Sequence, residues 1–142
     1  MEKTPQTGPL DMVPEIDADP EPVLRERLAD LFRTQQLAVL ATQRDGQPYT
    51  NLVAFTATPE LGGLVFATAR STRKFENLAA DSRASLLIDN RSNRVADFRE
   101  AVAVTAVGRA VELTGDRRAV LQQLYLAKHP HLQEFVEAPT CA

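Results

Sequence analysis

The feature that most constrains the fold is the short spacing between the first three strand-like segments. LAVLATQ (37–43), PYTNLVAFT (48–56) and LVFATA (64–69) are apolar runs separated by only a few residues. Asp45-Gly46, between the first two runs, is a strong hairpin signal because both residues tolerate positive φ. Parallel strands need a crossover of roughly a dozen residues or more, so the sequence predicts an antiparallel meander.

Further segments surround this meander with helices. Apolar residues at helical spacing predict helical segments at 20–35, 71–80, 115–128 and 129–137. Two more strands are predicted at 83–89 and 101–113; the second is long, and its Gly108 is typical of a bend or bulge. The order of elements therefore predicts an α+β fold, mainly β, in which helices flank a small antiparallel barrel.

The two ends of the chain differ from this middle. Residues 1–18 combine Pro and acidic residues with isolated apolar ones, which predicts a flexible tail; the alternative is an arm that docks on an oligomeric partner. Asp19 before Pro20 is a helix-start signal, so the predicted domain covers 19–142. Residues 138–142 have the pattern of the start of one more strand. Either another element or chain beyond this point would cover the barrel edge.

Composition excludes several functional classes. The net charge is −3 and charged residues make up 25% of the chain, which disfavours a nucleic-acid partner. One cysteine cannot form an internal disulfide, and no apolar run reaches the roughly 18 residues of a membrane span. The N-terminus lacks the apolar core of a signal peptide. We therefore predict a cytoplasmic protein without nucleic-acid or membrane partners.

The sharpest chemical signal is Ser71-Thr72-Arg73-Lys74 at a predicted helix start. If Ser71 is the N-cap, Lys74 stands where a capping box would place Glu. Two cations at the positive end of a helix are unfavourable unless an anion binds there, and a phosphate would use the free N–H groups, the hydroxyls and both cations. In the alternative, both cations are solvated and Glu76 compensates them in part; spacing alone leaves both readings open.

The stretch FATARSTRKFENLAADSRASLLIDN (66–90) resembles the FMN-binding core of the pyridoxamine 5′-phosphate oxidase-like split-barrel superfamily. The resemblance begins near Leu24 and includes LAVLATQRDGQPYTNLVAF (37–55), VTAVGRAVEL (104–113) and LYLAKHPHL (124–132). It implies a split barrel, a bound FMN and a homodimer with FMN at the subunit interface. The chain has no Trp and no Arg-x-His ending, unlike true pyridoxamine-phosphate oxidases, so that particular activity is not expected.

The resemblance also implies cofactor-binding residues. Those implied at the phosphate are Thr68, Ser71, Thr72, Arg73 and Lys74. Those implied along the isoalloxazine and after the fourth strand are Asn51, Leu52, Val53, Asn90 and Arg91. No catalytic residue and no metal ligand is assigned.

Three functions are compatible with these signals. The resemblance favours an FMN-dependent oxidoreductase that moves electrons between a reduced donor and a small-molecule acceptor. The second is a non-catalytic module that holds flavin, deazaflavin or haem, and the third is an empty barrel that serves dimerisation. The spectrum of the purified protein separates them.

Three other features have structural explanations. His129 and His131 flank Pro130, and without further ligands at metal-site spacing we interpret them as a solvated pair at a helix start. Cys141 lacks a basic neighbour in sequence that would lower its pKa, so we expect a small core residue. The polar loop at 91–97 is a solvated connection or, in a dimeric flavin barrel, part of the site's rim.

Overall fold

A computed structural model describes residues 20–142, and the predicted tail over 1–18 and the Asp19 cap lie outside this range. The elements in chain order are α1 (Pro20–Thr34), β1 (Leu37–Arg44), β2 (Gln47–Ala57), β3 (Leu64–Phe66), α2 (Arg73–Ala80), β4 (Arg83–Asp89), α3 (Asp97–Glu100), β5 (Ala103–Arg109), α4 (Gly115–Lys128), a 3-10 turn (Pro130–Leu132) and α5 (Gln133–Glu137). Among the described helices, none is long and apolar enough to cross a membrane.

The five strands form one antiparallel sheet in the order β3-β2-β1-β4-β5. Asp45 and Gly46 both have positive φ, 53° and 78°, which is the backbone that the predicted two-residue hairpin requires. The sheet curls, and helices cover it. The predicted α+β fold, a small antiparallel open barrel with flanking helices, is confirmed.

The core lies between the last turns of α1 and the inner face of β1, β2 and β4. Because side chains alternate along a strand, every second residue of these strands faces α1. The core residues are Leu31, Phe32, Ala38, Leu40, Val53, Phe55, Leu86 and Ile88. Leu24, which has helical spacing with Leu28 and Leu31, is exposed, so only the C-terminal half of α1 packs against the sheet.

The second half of the sheet departs from the prediction. β5 is only seven residues long, shorter than the predicted strand over 101–113, because its partner β4 extends only from Arg83 to Asp89. Gly108 lies in regular register opposite Ala84, so the predicted bend or bulge there is wrong.

The loop predicted over 91–97 leads into the short helix α3, which the sequence analysis missed. The Asp97 carboxylate accepts the backbone N–H groups of the three preceding loop residues 92–94 and thereby folds the loop.

The helical region after β5 matches the prediction in position but not in every contact. Thr114 is the N-cap residue of α4, yet its side chain makes no capping hydrogen bond. Tyr125 is buried and Leu121 and Leu124 are half-buried, whereas Val120 is exposed, so the apolar face of α4 is narrow.

The two edge strands, β3 and β5, line the same cavity of about 640 Å³, whose other sides come from α2, α4 and the last residues. The expected start of one more strand is present at 140–142. Ala142 N donates to Thr68 O at 2.8 Å and Arg70 N donates to Thr140 O at 2.9 Å, so this segment runs antiparallel to residues 68–70.

Candidate functional site

The start of α2 is organised by two threonine hydroxyls. Thr72 is the N-cap, and its Oγ1 accepts the N–H of Phe75 at 3.4 Å. The same hydroxyl donates to Ala69 O at 2.8 Å and lies 2.9 Å from Thr68 Oγ1. The expectation that Ser71 is the cap is therefore wrong, because the buried Thr68 holds Thr72 in the capping position. Lys74 is the second residue of the helix rather than the capping-box residue.

The polar groups beside this helix start fall into two sets. Thr68 and Thr72 are committed to each other and to the main chain. Ser71 is exposed and has no side-chain hydrogen bond with the described residues. The half-buried Lys74 likewise makes no ion pair or hydrogen bond within residues 20–142. The Arg73 guanidinium stacks 5.3 Å from the ring centroid of Tyr49 and has no described carboxylate partner. Three donor side chains beside a positive helix end thus have no acceptor among the residues that the structure describes.

Nearby acidic residues compensate other cations. Glu76, expected to offset Arg73 and Lys74, instead lies 3.8 Å from Arg44. Glu112 pairs with Arg70, whose hydrogen bond is the main cause of the lowered pKa of the Glu112 carboxyl. The sequence analysis missed Glu112 because it lies beyond the paired part of β5, far from Arg70 in sequence.

Two polar contacts anchor α2 to the sheet. Asn77, the buried residue of the helix, donates from Nδ2 to Thr42 Oγ1 at 3.0 Å. At the helix C-terminus, Arg83 hydrogen bonds are the main cause of the lowered pKa of Asp81, which also accepts from Gln43. The helix start is therefore presented from a fixed element rather than from a loop.

The three predicted residues of β2 have different environments. Val53 is buried in the core, whereas Leu52 points to the outer face and is 62% exposed. Asn51 shares the inner face with Tyr49, and its buried Oδ1 has no hydrogen-bond partner among residues 20–142. A buried acceptor without a donor is unfavourable by about 1–3 kcal/mol, so a ligand that supplies a donor would fit there. The sequence analysis missed Tyr49, although its alternation with Asn51 places both on one face.

Asn90 and Arg91 lie at the end of β4 farthest from α2. Asn90 Oδ1 accepts the N–H of Val102 at 2.7 Å, which joins the ends of the two strands. Arg91 pairs with Asp89 at 3.0 Å and, with Leu52, lines a smaller cavity of about 330 Å³ on this side. Within one chain, the structure therefore does not bring Asn90 and Arg91 to the helix start that holds Ser71, Thr72, Arg73 and Lys74.

Burial distinguishes the remaining residues that the sequence singled out, which are His129, His131 and Cys141. His129 is only 1% exposed and its Nε2 lies 2.7 Å from Phe55 O, so its interpretation as a solvated residue is wrong; His131 is exposed. His129 is buried because the end of α4 packs on β2. Cys141 is buried, which raises the pKa of its thiol, and is the small core residue expected. In the described part of the chain, no three His, Cys, Asp or Glu side chains converge as a possible metal site.

Comparison with known proteins gives a family and a set of similar structures. Residues 24–140 match the family model described as pyridoxamine 5′-phosphate oxidase. Comparison with curated proteins gives no match. A protein of unknown function from Agrobacterium tumefaciens is 26% identical, with a TM-score of 0.72 over 92% of this chain. The chain covers 56% of that protein, slightly more than half of its length.

Two further structures share the fold. A heme binding protein from Mycobacterium smegmatis is 24% identical, with a TM-score of 0.68 over 80% of this chain and 48% of that one. A FAD-binding protein from Mesorhizobium loti is 18% identical, with a TM-score of 0.62 over 80% of this chain and 78% of that one.

Proposed function

Since the chain belongs to the pyridoxamine 5′-phosphate oxidase family, we propose that it binds FMN and acts as a flavin-dependent oxidoreductase. In this proposal, electrons pass between a reduced donor and a small-molecule acceptor. The observation that carries the proposal is the start of α2, where Ser71, Arg73 and Lys74 present donors without acceptors in the described chain.

A phosphate group fits this helix start for electrostatic reasons. The first N–H groups of a helix lack intrahelical partners, and the aligned peptide dipoles place partial positive charge there. Arg73 and Lys74 add two charges, while the carboxylates of Glu76 and Glu112 lie against Arg44 and Arg70. A phosphate dianion would accept hydrogen bonds from the first N–H groups of the helix and from the Arg73 and Lys74 side chains at the same time.

In this proposal the remainder of the flavin would lie along β2, beside Asn51 and Tyr49. Bound FMN would supply the electron chemistry, and the protein would bind, orient and shield it. Asn51 Oδ1 is the buried acceptor that a flavin N–H or hydroxyl donor would satisfy. Tyr49 holds the Arg73 guanidinium in place from the same face. These two residues would orient the cofactor. No residue is assigned as a general acid or base in this proposal.

We also propose a homodimer with the flavin between its subunits. The outer face of the sheet exposes Leu37, Leu52 and Val107, and a second copy would cover such apolar surface. A two-fold arrangement would bring one end of the sheet to the opposite end of its partner. Asn90 of the partner subunit and Arg91 of the partner subunit would then approach the flavin, which one chain alone does not permit.

A non-catalytic module for flavin, deazaflavin or haem is the second candidate. The heme binding protein from Mycobacterium smegmatis and the FAD-binding protein from Mesorhizobium loti, which share the fold, support it. Reduction of bound flavin by NADH or NADPH with turnover would favour the oxidoreductase. Tight flavin binding without turnover, or a Soret band after haem addition, would favour the module.

Titration of FMN into the purified protein tests the phosphate site. Arg73→Ala and Lys74→Ala should each remove a charge-assisted contact of roughly 1.5–3 kcal/mol, which corresponds to about a ten- to hundredfold loss of affinity. Arg33→Ala is the matched control, because Arg33 is an exposed cation paired with Asp30 on α1 and should leave affinity unchanged. Unchanged affinity in both α2 variants would contradict the proposal. Light scattering on the same samples measures the subunit number.

A further inference from the structure

The C-terminal end of α4 is fixed to the sheet by side chains that bind main-chain carbonyl oxygens. The Tyr125 hydroxyl donates to Ala54 O at 3.4 Å, and His129 Nε2 lies 2.7 Å from Phe55 O. The Tyr125 and His129 rings also contact each other, with their centroids 5.0 Å apart. We call Tyr125, Lys128 and His129 the α4 clamp.

Lys128 extends the clamp to the C-terminus of α1. Its Nζ donates to Phe32 O and to Gln35 O, each at 2.7 Å, and lies 4.0 Å from the centroid of the Phe55 ring. Helix C-termini carry partial negative charge, so an ammonium group is favourable here. Burial nevertheless lowers the pKa of Lys128 to about 8.

His129 occupies a position where a positive charge is unfavourable. The titratable groups that face it are Tyr125 and Lys128 of α4 and His131 of the 3-10 turn, while β2 and α1 contribute carbonyls and phenyl rings. No carboxylate within residues 20–142 pairs with Lys128 or His129. Burial is the main cause of the lowered pKa of His129; the hydrogen bond with Phe55 O opposes this shift, while the nearby charges of Lys128 and His131 add to it.

We propose that His129 makes the α4 clamp acid-sensitive, so that protonation of its imidazole releases the end of α4 from β2 and loosens the residues that follow it, up to 142. The new charge would lie beside the Lys128 ammonium in a site with no counter-ion among the described residues. Release would also weaken the pairing of residues 140–142 with 68–70, which includes Thr68, the residue that positions the Thr72 cap. Acid would thus loosen the support of α2 from a distance. This inference stands whether or not FMN binds.

The sign of the pH dependence follows from the lowered pKa. The closed clamp requires neutral His129, whereas the released imidazole titrates near its ordinary value of about 6.5. The closed state is therefore fully stable above that pH and loses stability as the pH falls below it. Between about pH 7 and pH 5, the opening equilibrium should rise by up to about twentyfold.

Hydrogen exchange of the full chain, corrected for the intrinsic effect of pH, tests this inference. Acidification should speed exchange in residues 129–142 and 68–70 while β1 and β4 stay protected. His129→Gln keeps a side-chain N–H donor but cannot titrate, so it should abolish the acid effect. His131→Gln, at the exposed neighbouring imidazole, should preserve it. Equal acid sensitivity in His129→Gln, or no acid effect in the wild type, would overturn the proposal.

An NMR titration of the wild type keeps the test independent of whether the variants fold. The chain has only two histidines, so both imidazoles can be followed. We expect the buried imidazole of His129 to titrate below 6.5, because burial lowers its pKa. Titration of this imidazole at or above 6.5 would overturn the proposal.

Discussion

The α4 clamp and the start of α2 both place a lysine at a helix end, but at ends of opposite polarity. Lys128 meets the C-terminus of α1, where the partial charge is negative and two carbonyls accept its protons. Lys74 lies in the first turn of α2, where the partial charge is positive and no described group accepts from it. The first arrangement stabilises the folded chain, whereas the second becomes favourable only when an anion arrives.

The comparison separates residues that support the fold from residues that would bind a ligand. The criterion is whether their polar groups already have hydrogen-bond partners. In the clamp, each buried donor has an acceptor, so removing a partner affects folding. At the start of α2, the Thr68 and Thr72 hydroxyls have partners and shape the backbone, while the side chains of Ser71, Arg73 and Lys74 have no acceptor in the described part of the chain. Variants in the two regions should therefore differ in whether they change stability or ligand affinity.

The largest expected effect is that of Phe55→Ala in the clamp region. Phe55 is fully buried, packs edge-on against Phe32 and lies under the Lys128 ammonium. Truncation of a buried Phe typically lowers the free energy of unfolding by about 3–5 kcal/mol. Urea denaturation measures this loss. The FMN affinity of the remaining folded fraction should not change, and a loss under about 1 kcal/mol would break the comparison.

The sequence predicted the hairpin and the antiparallel meander of β1, β2 and β3 best, because these depend on local turn chemistry and on connection length. Asp45 and Gly46 adopt their positive φ because of their own residue types, independently of where the hairpin lies in the fold. The burial of His129 was not predictable in this way, since its acceptor Phe55 lies 74 positions away in sequence. The choice of Thr72 over Ser71 as cap likewise depends on Thr68 across the turn.

The candidate site was predictable only in part, for a related reason. A local segment contains Ser71, Arg73 and Lys74, so their proximity follows from the sequence. Asn90 and Arg91 follow β4, and the direction of β4 relative to α2 carries them away from the helix start. Position along the chain therefore indicated the donors, while topology decided which of the predicted residues lie together.

A smaller effect is expected for Thr72→Ala, which removes the N-cap of α2. Loss of a cap lowers the free energy of unfolding by about 1 kcal/mol, and the frayed helix start should also bind FMN more weakly. Thermal denaturation and flavin titration measure the two effects. Thr72→Ser retains the hydroxyl and should restore both. Weaker FMN binding in Thr72→Ser equal to that in Thr72→Ala would show that the methyl group, rather than the cap, matters.

The smallest expected change in stability, and the sharpest test of the comparison, is that of Lys74→Glu. A carboxylate in the first turn of a helix is favourable where an ammonium is not, so in the absence of ligand the free energy of unfolding should rise by roughly 0.3–1 kcal/mol. FMN binding should weaken at the same time, because the variant repels the phosphate. Chemical denaturation without ligand and titration with FMN measure these opposite responses.

Lys128→Gln is the matched control for Lys74→Glu. It removes the ammonium at a helix C-terminus, where the charge and its two carbonyl contacts are favourable, so stability should fall. FMN affinity of the folded protein should stay the same. A gain in stability with a loss of affinity is expected only where the folded chain tolerates an unfavourable charge for the sake of a ligand. Lower stability of Lys74→Glu would instead mean that Lys74 supports the fold as Lys128 does.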